Sequence, residues 1–388
     1  MIVYIKTQGA KIIKEGRHLL VKKGNDTYHT IFTYKLDQLL IFGNIEITHN
    51  ALCVLMKNNI DTVYLTRYGR YLGRLAPLES KNIFLRKRQY HMLDDQKFGL
   101  KLAKSIVAGK LANMVTLMMR IKRSRKCKEA GYKAKQIRKL LNGVHSADNI
   151  DSVRGYEGRG SAIYFSGFCH GFTEQTDFTK RVRHPPTDPV NSVLSLLYTF
   201  LMNRVYSAVR IAGLDPYPGF LHTIDYGRYS LVLDLMEEFR PTIVDTLVFS
   251  LFNLKILQKS DFRFEVPIVD GLQSQASSDE CIPDVNTDPL GMMVMRQNEE
   301  KKDFDLPEQR IDAVHAITAR SRGKYPVKLK SDAFGRVIAT FEKKLTASFY
   351  YPPAERKMTY GDVIIYQASH YRKVIEGTAD VYLPMMLT

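Results

Sequence analysis

The sequence predicts an α+β protein in which a small N-terminal β-strand-rich domain precedes a large all-helical C-terminal domain, and three observations carry that prediction. Over roughly the first 75 residues, short apolar segments alternate with turn residues. From about Asn82 onward the apolar residues recur at helical steps of three and four. The chain has 388 residues, 45% hydrophobic and 25% charged, which suits a folded protein of two domains and excludes a disulfide-stapled miniprotein or a disordered chain. The predicted domains are 1–85 and 86–388.

Strands are expected at Ile2 to Ile5, Lys11 to Lys14, Arg17 to Val21, Thr27 to Thr33 and Leu39 to Phe42, separated by turn signals such as Glu15-Gly16 and Gly24-Asn25-Asp26. Thr48 offers an N-cap for a short helix through ALCVLMK, and Thr62 to Leu65 returns to strand. Tyr71 to Lys81, with Gly73 and Pro77, reads as the exit from the domain. In the second domain Ala103, Ile106, Val107, Leu111, Met114 and Met118 form one apolar stripe on a long helix, continued by the basic run RIKRSRKCKEAGYKAKQIRKLL. Asp188-Pro189 caps and starts a second helix whose stripe includes Val193, Leu194, Leu197, Leu201 and Val205. A third helix is expected over Ser230 to Phe239 and a fourth from Pro241. Residues 267–308, rich in Gln, Ser, Asp and Pro, read as an acidic loop or mobile insertion, and the helical pattern resumes near Pro307.

The formal net charge is +17, and its placement makes a polyanion the first partner to consider. Between Lys81 and Leu140 there are 18 basic and 3 acidic side chains, whereas residues 261–300 hold 2 basic and 9 acidic ones. Cys53, Cys127, Cys169 and Cys281 lie far apart without a CxxC pair, which argues against a structural zinc site or a disulfide framework and for reduced thiols in a cytoplasm. The N-terminus lacks a signal-peptide layout and no membrane span is expected.

Three stretches carry candidate chemistry. Gly155-Tyr156-Glu157-Gly158-Arg159-Gly160 frames a carboxylate with glycines, leaving room for a bulky ligand such as a phosphate; on its own it reads more readily as a solvated Glu near a helix start. Pro216 to His222 places one imidazole behind a rigid Pro/Gly turn. In Ser230 to Pro241, a helix would put Asp234, Glu237 and Glu238 on a shared side at i, i+3 and i+4, either as a solvated acidic face beside Arg240 or as a cation site. Phosphodiester chemistry uses a divalent ion to polarise phosphoryl oxygens, and hard carboxylates with one imidazole suit Mg²⁺ or Mn²⁺.

At these residues the sequence resembles the CRISPR-associated spacer-acquisition integrases, the Cas-one family. The matching stretches are GYEGRGSAIYF (Gly155 to Phe165), HPPTDPVNSVLSLLYTFL (His184 to Leu201), DPYPGFLH (Asp215 to His222) and SLVLDLMEEFRPTIVD (Ser230 to Asp245), in that order. The resemblance implies that Glu157, His222 and Glu237 are metal ligands, that Asp234 is an acidic catalytic position close to them, and that Asn191 lines the same cleft. It further implies a homodimer that assembles with the small companion adaptation protein, Cas-two, in antiviral defence, and chemistry in which the 3′-hydroxyl of a short DNA fragment attacks a phosphodiester at a CRISPR repeat. Arg123, Arg125, Lys126 and Arg159 are the candidate contacts to double-stranded DNA, together with Asn191, and the N-terminal domain, with Ile2, Ile5 and Val21, is the candidate dimer contact. A general metal-dependent nuclease acting on branched or repair DNA would use the same ligands with water as nucleophile, and a silent DNA-binding scaffold would need none of them.

Overall fold

The computed structural model describes residues 1–75, 82–182, 185–264 and 326–387. Residues 76–81, His184, the acidic stretch 267–308, Cys281 and the helical pattern expected near Pro307 lie outside the described residues.

Two four-stranded sheets build the N-terminal part. β1 (Ile2–Ile5), β5 (Gln38–Phe42), β7 (Asp61–Leu65) and β8 (Tyr71–Leu75) form one, with β1, β5 and β7 parallel and β8 antiparallel to β7. β2 (Lys11–Glu15), β3 (His18–Lys23) and β4 (Asp26–Phe32) form an antiparallel meander, extended by β6 (Glu46–Ile47) parallel to β2. α1 (His49–Lys57) starts where Thr48 Oγ1 accepts the Ala51 N–H. Tyr71 to Leu75 is thus a strand rather than part of the exit, because its backbone pairs with β7.

β5 is buried on both faces, and strand alternation assigns each face to a different core. Leu39 and Ile41 join Ile5, Ile12, Leu19 and Val21 in a small core between the sheets, whereas Leu40 and Phe42 join the core of the helical part. Phe42 meets Phe334 with ring centroids 5.1 Å apart and Phe200 at 6.1 Å. The two parts therefore share apolar contact, and Ile5 and Val21, expected as contact surface, are interior, with Ile2 half-buried against the larger core.

The second part is mostly helical. α2 (Ile83–His91) leads to α3 (Gln96–Arg125), α4 (Lys128–Ser146) and α5 (Ile150–Phe168), which pack on one another. The basic run prolongs α3 only through Arg125: Lys126 takes a left-handed backbone (φ 51°), Cys127 caps α4, and the rest of the run doubles back on that helix. α3 is long and apolar enough to cross a membrane by composition, but 67% of its apolar window is buried against protein. α6 (Pro189–Ile211) begins at the Asp188 cap and runs through the centre. α7 (Ser230–Met236), a π-helical turn (Arg240–Asp245) and α8 (Thr246–Asn253) follow, then α9 (Ser331–Thr346) and α10 (Tyr360–Glu376). Two small antiparallel pairs depart from the all-helical expectation: β9 (Phe262–Phe264) with β10 (Val327–Leu329), and β11 (Ser348–Tyr351) with β12 (Arg356–Thr359). The tail after α10 is irregular yet anchored. Tyr382 and Met385 are 2% exposed, and Asn113 on α3 donates to the Met385 carbonyl while accepting the Leu387 N–H.

Candidate active site

Glu157 lies in the interior of α5, not near its start as the glycines suggested. Asn149 caps that helix, its Oδ1 accepting the Ser152 N–H at 2.8 Å. Gly155 and Gly158 face open space, but Gly160 is needed for packing: a Cβ there would sit 2.3 Å from Leu111 Cδ2 on α3. That close approach brings Glu157 against Lys110 of α3, whose ammonium forms an ion pair with Glu157 Oε1, and Ser161 Oγ donates to the same oxygen at 2.8 Å.

His222 is placed by a different constraint. A Cβ on Gly219 would meet the Ser230 carbonyl carbon at 2.5 Å, so only glycine lets the loop pass over the start of α7. The loop is then pinned by Asp234, fully buried on α7. Its Oδ2 accepts the N–H groups of Phe220 (2.6 Å) and Leu221 (2.9 Å), while Oδ1 accepts that of His222 (2.9 Å) and meets His222 Nδ1 at 2.7 Å. With Nδ1 held there, the other ring nitrogen, Nε2, faces Glu237 Oε1 at 3.8 Å. Arg154, one turn before Glu157, donates to the Leu221 carbonyl at 2.5 Å and so ties α5 to the same loop.

Glu237 ends α7 and is almost wholly buried. Its Oε1 accepts from Arg240 Nε at 3.0 Å, and its Oε2 is 2.5 Å from Lys110 Nζ. Burial alone would raise its pKa, but Arg240, Lys110 and His222 outweigh that and bring it down to about 2. Glu157 is likewise pushed up by burial and pulled below the usual carboxylate range, chiefly by Lys110. Burial pushes Lys110 down, but the two carboxylates more than offset it and the net direction is up. The cluster is held ionised.

The expected shared acidic side of α7 does not exist. Asp234 faces the His222 loop and Glu237 faces Lys110, while Glu238 turns away to accept from Tyr382 Oη (2.8 Å) and the Met385 N–H (2.6 Å). Burial raises Glu238 to about 7 despite these bonds. The three carboxylates are separated because the chain leaves the regular α-helix after Met236 and re-enters through a π-helical turn. Asp234 is fully buried and has both oxygens engaged by the loop.

Glu157, His222 and Glu237, from three segments, are brought together, the two glutamates on Lys110 and His222 beside Glu237. Among the described residues, however, no three His, Cys, Asp or Glu side chains surround one cation position. Lys110 Nζ stands between the two glutamates. Arg240 enters the sequence-predicted site only as a neighbour of the acidic segment and Lys110 not at all, although one signal is present: Lys110 interrupts the apolar stripe of Val107, Leu111 and Met114, where a lysine is buried only if paired.

The remaining candidates divide. Arg123 and Lys126 are exposed at the end of α3, as are Lys122 and Lys128 beside them in the chain and Lys135, Arg138 and Lys139 along α4. Arg125 is half-buried and donates to the Gly171 carbonyl at 3.4 Å, and Arg159 is exposed on α5. Asn191 is fully buried, a correction to its expected place in the cleft. Its side chain accepts from Arg181 and the Val182 N–H and donates to the Lys180 carbonyl and to Asp188, so it fastens 180–182 to α6 and has no group left for DNA.

Beneath the site, Asp245 accepts from Tyr164 Oη (2.7 Å) and Tyr198 Oη (2.6 Å). Burial raises its carboxyl to about 6 in spite of these bonds. A carboxyl raised in the native state binds its proton more tightly there than in the unfolded chain, so its contribution to stability falls as pH rises from about 4 through 6. Asp245→Asn is expected to remove that slope, gaining about 2 to 3 kcal/mol relative to the wild type between pH 4 and pH 7. Urea unfolding of both proteins across that range checks it; parallel curves would show that Asp245 does not titrate there.

Comparison with known proteins converges on one family. The family described as CRISPR associated protein Cas1 matches residues 3–269. A CRISPR-associated endonuclease Cas1 of Thermus thermophilus is 35% identical over 263 residues, 67% of this chain and 77% of its own. In fold, the chain is similar to a casposase bound to integration product, with TM-score 0.75 at 19% identity over 100% of this chain and 94% of that one. It is also similar to a chain of a Cas6-RT-Cas1–Cas2 complex, with TM-score 0.74 at 21% identity over 99% of this chain and 36% of that longer one.

Proposed function

This chain belongs to the Cas1 family of CRISPR-associated proteins, and on that premise we propose that it is a metal-dependent DNA endonuclease and integrase that inserts short DNA fragments into a CRISPR array. The observation that carries the reading is the convergence of Glu157 and Glu237 on one cationic point with His222 Nε2 beside it. The donor set fits a hard divalent cation: two ionised carboxylates, and an imidazole whose other nitrogen is engaged by a carboxylate. Glu157, Glu237 and His222 Nε2 would hold Mg²⁺ or Mn²⁺, which when bound supplies Lewis-acid polarisation of the phosphoryl oxygens. Asp234 fixes the His222 ring, and Arg240 keeps Glu237 ionised. Glu157 and His222, with side chains 26% and 31% exposed, form the open side on which a DNA phosphate arrives, while Glu237 closes the floor.

The exposed basic side chains on α3 and α4 supply the backbone contacts, which are salt-sensitive and largely independent of sequence. Reversing the charge at Arg123, Arg125 and Lys126 together is expected to weaken binding of unrelated duplexes alike and to lower the slope of log affinity against log salt by about 0.9 for each phosphate no longer neutralised. Fluorescence anisotropy at several salt concentrations reads both; unchanged affinity and slope would move the DNA-backbone surface elsewhere.

Insertion needs two joinings on opposite strands, hence two active sites at a fixed separation, which a homodimer provides. The Cas2 companion in a structurally similar assembly supports a Cas2 partner. With Ile5 and Val21 interior, the exposed face of β4, with Tyr28 and Phe32 and nearby Tyr34, is the part of the N-terminal region suited to the dimer contact.

The experiment is a strand-joining assay on a CRISPR-repeat duplex, comparing a fragment ending in a 3′-hydroxyl with the same fragment ending in 3′-deoxy. Joined product from the first alone is expected. Cleavage without joining from either would assign water as the nucleophile and leave the general nuclease in place of the integrase.

A further inference from the structure

Lys110 is not among the ligands, yet it is the group around which they are arranged. Its side chain is 6% exposed, it comes from α3 while its partners come from α5 and the end of α7, and its ammonium pairs with Glu157 Oε1 and with Glu237 Oε2 at 2.5 Å. Two ionised glutamates converging on one point without a cation would repel, and a buried lysine without carboxylates would be uncharged. Each therefore requires the other in the metal-free protein.

Charge balance extends the argument. Glu157, Glu237, Asp234 and Asp245 set four negative charges against the two positive charges of Lys110 and Arg240, which leaves the cluster with two net negative charges when all four carboxylates are ionised and His222 is uncharged. A divalent cation would balance that charge, so the carboxylates would no longer need the Lys110 ammonium as their counter-ion. Lys110 now pairs with one oxygen of each of the two carboxylates that would hold the cation.

We propose that Lys110 is the resident counter-ion of the site: it holds Glu157 and Glu237 together until a divalent cation displaces its ammonium, which then serves the incoming phosphodiester. This rests on the metal-site reading of Glu157, His222 and Glu237. It makes Lys110 a competitor of the metal in the free protein, the opposite of what a purely structural lysine would be.

The test is Mn²⁺ titration of the full-length chain by calorimetry, with thermal unfolding measured alongside, for the wild type, Lys110→Met and Lys110→Arg. Displacement predicts that Lys110→Met binds Mn²⁺ roughly tenfold or more tightly, since one repelling charge within a few ångströms is gone. The same variant should unfold at lower temperature without metal and be raised more by Mn²⁺ than the wild type is, while Lys110→Arg stays near the wild type. Equal or weaker Mn²⁺ binding by folded Lys110→Met overturns the proposal and leaves the metal site standing. A wild type whose Mn²⁺ binding is absent, or indifferent to Glu157→Gln and Glu237→Gln, overturns the metal reading itself and the proposal with it. Should Lys110→Met not fold, reductive methylation of the wild type with formaldehyde, read by mass spectrometry, decides: Lys110 should be modified more with Mn²⁺ than without, and equal protection in both overturns displacement.

Discussion

Replacing Glu157 with glutamine should lower both DNA cleavage and strand joining on the order of 10³-fold or more, while DNA affinity changes little. The size follows from the role. Losing a ligand to a divalent cation forfeits several kcal/mol of transition-state charge stabilisation, at a factor of ten for each 1.4 kcal/mol. On the proposed reading DNA affinity is spread over many phosphate contacts made by basic side chains, to which an acidic residue adds none. The substitution is also structurally mild: glutamine fills the same volume, can accept the Ser161 Oγ hydrogen bond, and leaves Lys110 its second partner, Glu237. Single-turnover assays at saturating enzyme, with anisotropy on the same duplex, separate the two effects. A variant that joins strands at the wild-type rate would remove Glu157 from the site, and one that loses DNA binding in parallel would make it a contact residue instead.

What the sequence disclosed of this site, and what it did not, divides along physical lines. The stripes of α3 and α6 are visible because one face of each helix must be apolar for whatever packs against it. The break at Lys126 is not, because a lysine in the left-handed region carries none of the usual Gly or Pro signal. Glu157 reads as a residue near a helix start because three glycines surround it; the propensity penalty is overridden by the close packing of Gly160 on Leu111, a contact between residues far apart in the chain. The acidic segment reads as a solvated face for the same reason: Lys110, Tyr382, Gln367 and the Met385 N–H, which partner Glu237 and Glu238, are more than a hundred residues away. Residues that share chemistry are legible from their type and spacing. Residues that neutralise them across the fold are not.

Asp234 is the position where positioning and ligation make opposite predictions. Asp234→Ala leaves the buried N–H groups of Phe220 and Leu221 and the half-buried one of His222 without an acceptor and frees the His222 ring. At about 1 to 3 kcal/mol for each unsatisfied buried group, partly relieved by loop movement, the variant should lose roughly 3 to 5 kcal/mol of stability. Asp234→Asn should recover little, because one side of an amide can accept while the other presents N–H to N–H. Below the urea midpoint of the variant, where it is folded, strand joining should still be strongly reduced, because an untethered His222 no longer holds Nε2 towards Glu237. Mn²⁺ affinity discriminates between the roles. A positioning residue should weaken it by about 10- to 100-fold through His222, and His222→Ala combined with Asp234→Ala should then cost no more in Mn²⁺ affinity than His222→Ala alone. If the double variant binds Mn²⁺ more weakly than either single one, Asp234 contacts the metal by a route of its own, and the hydrogen bonds it makes to the 220–222 loop are not the whole of its function.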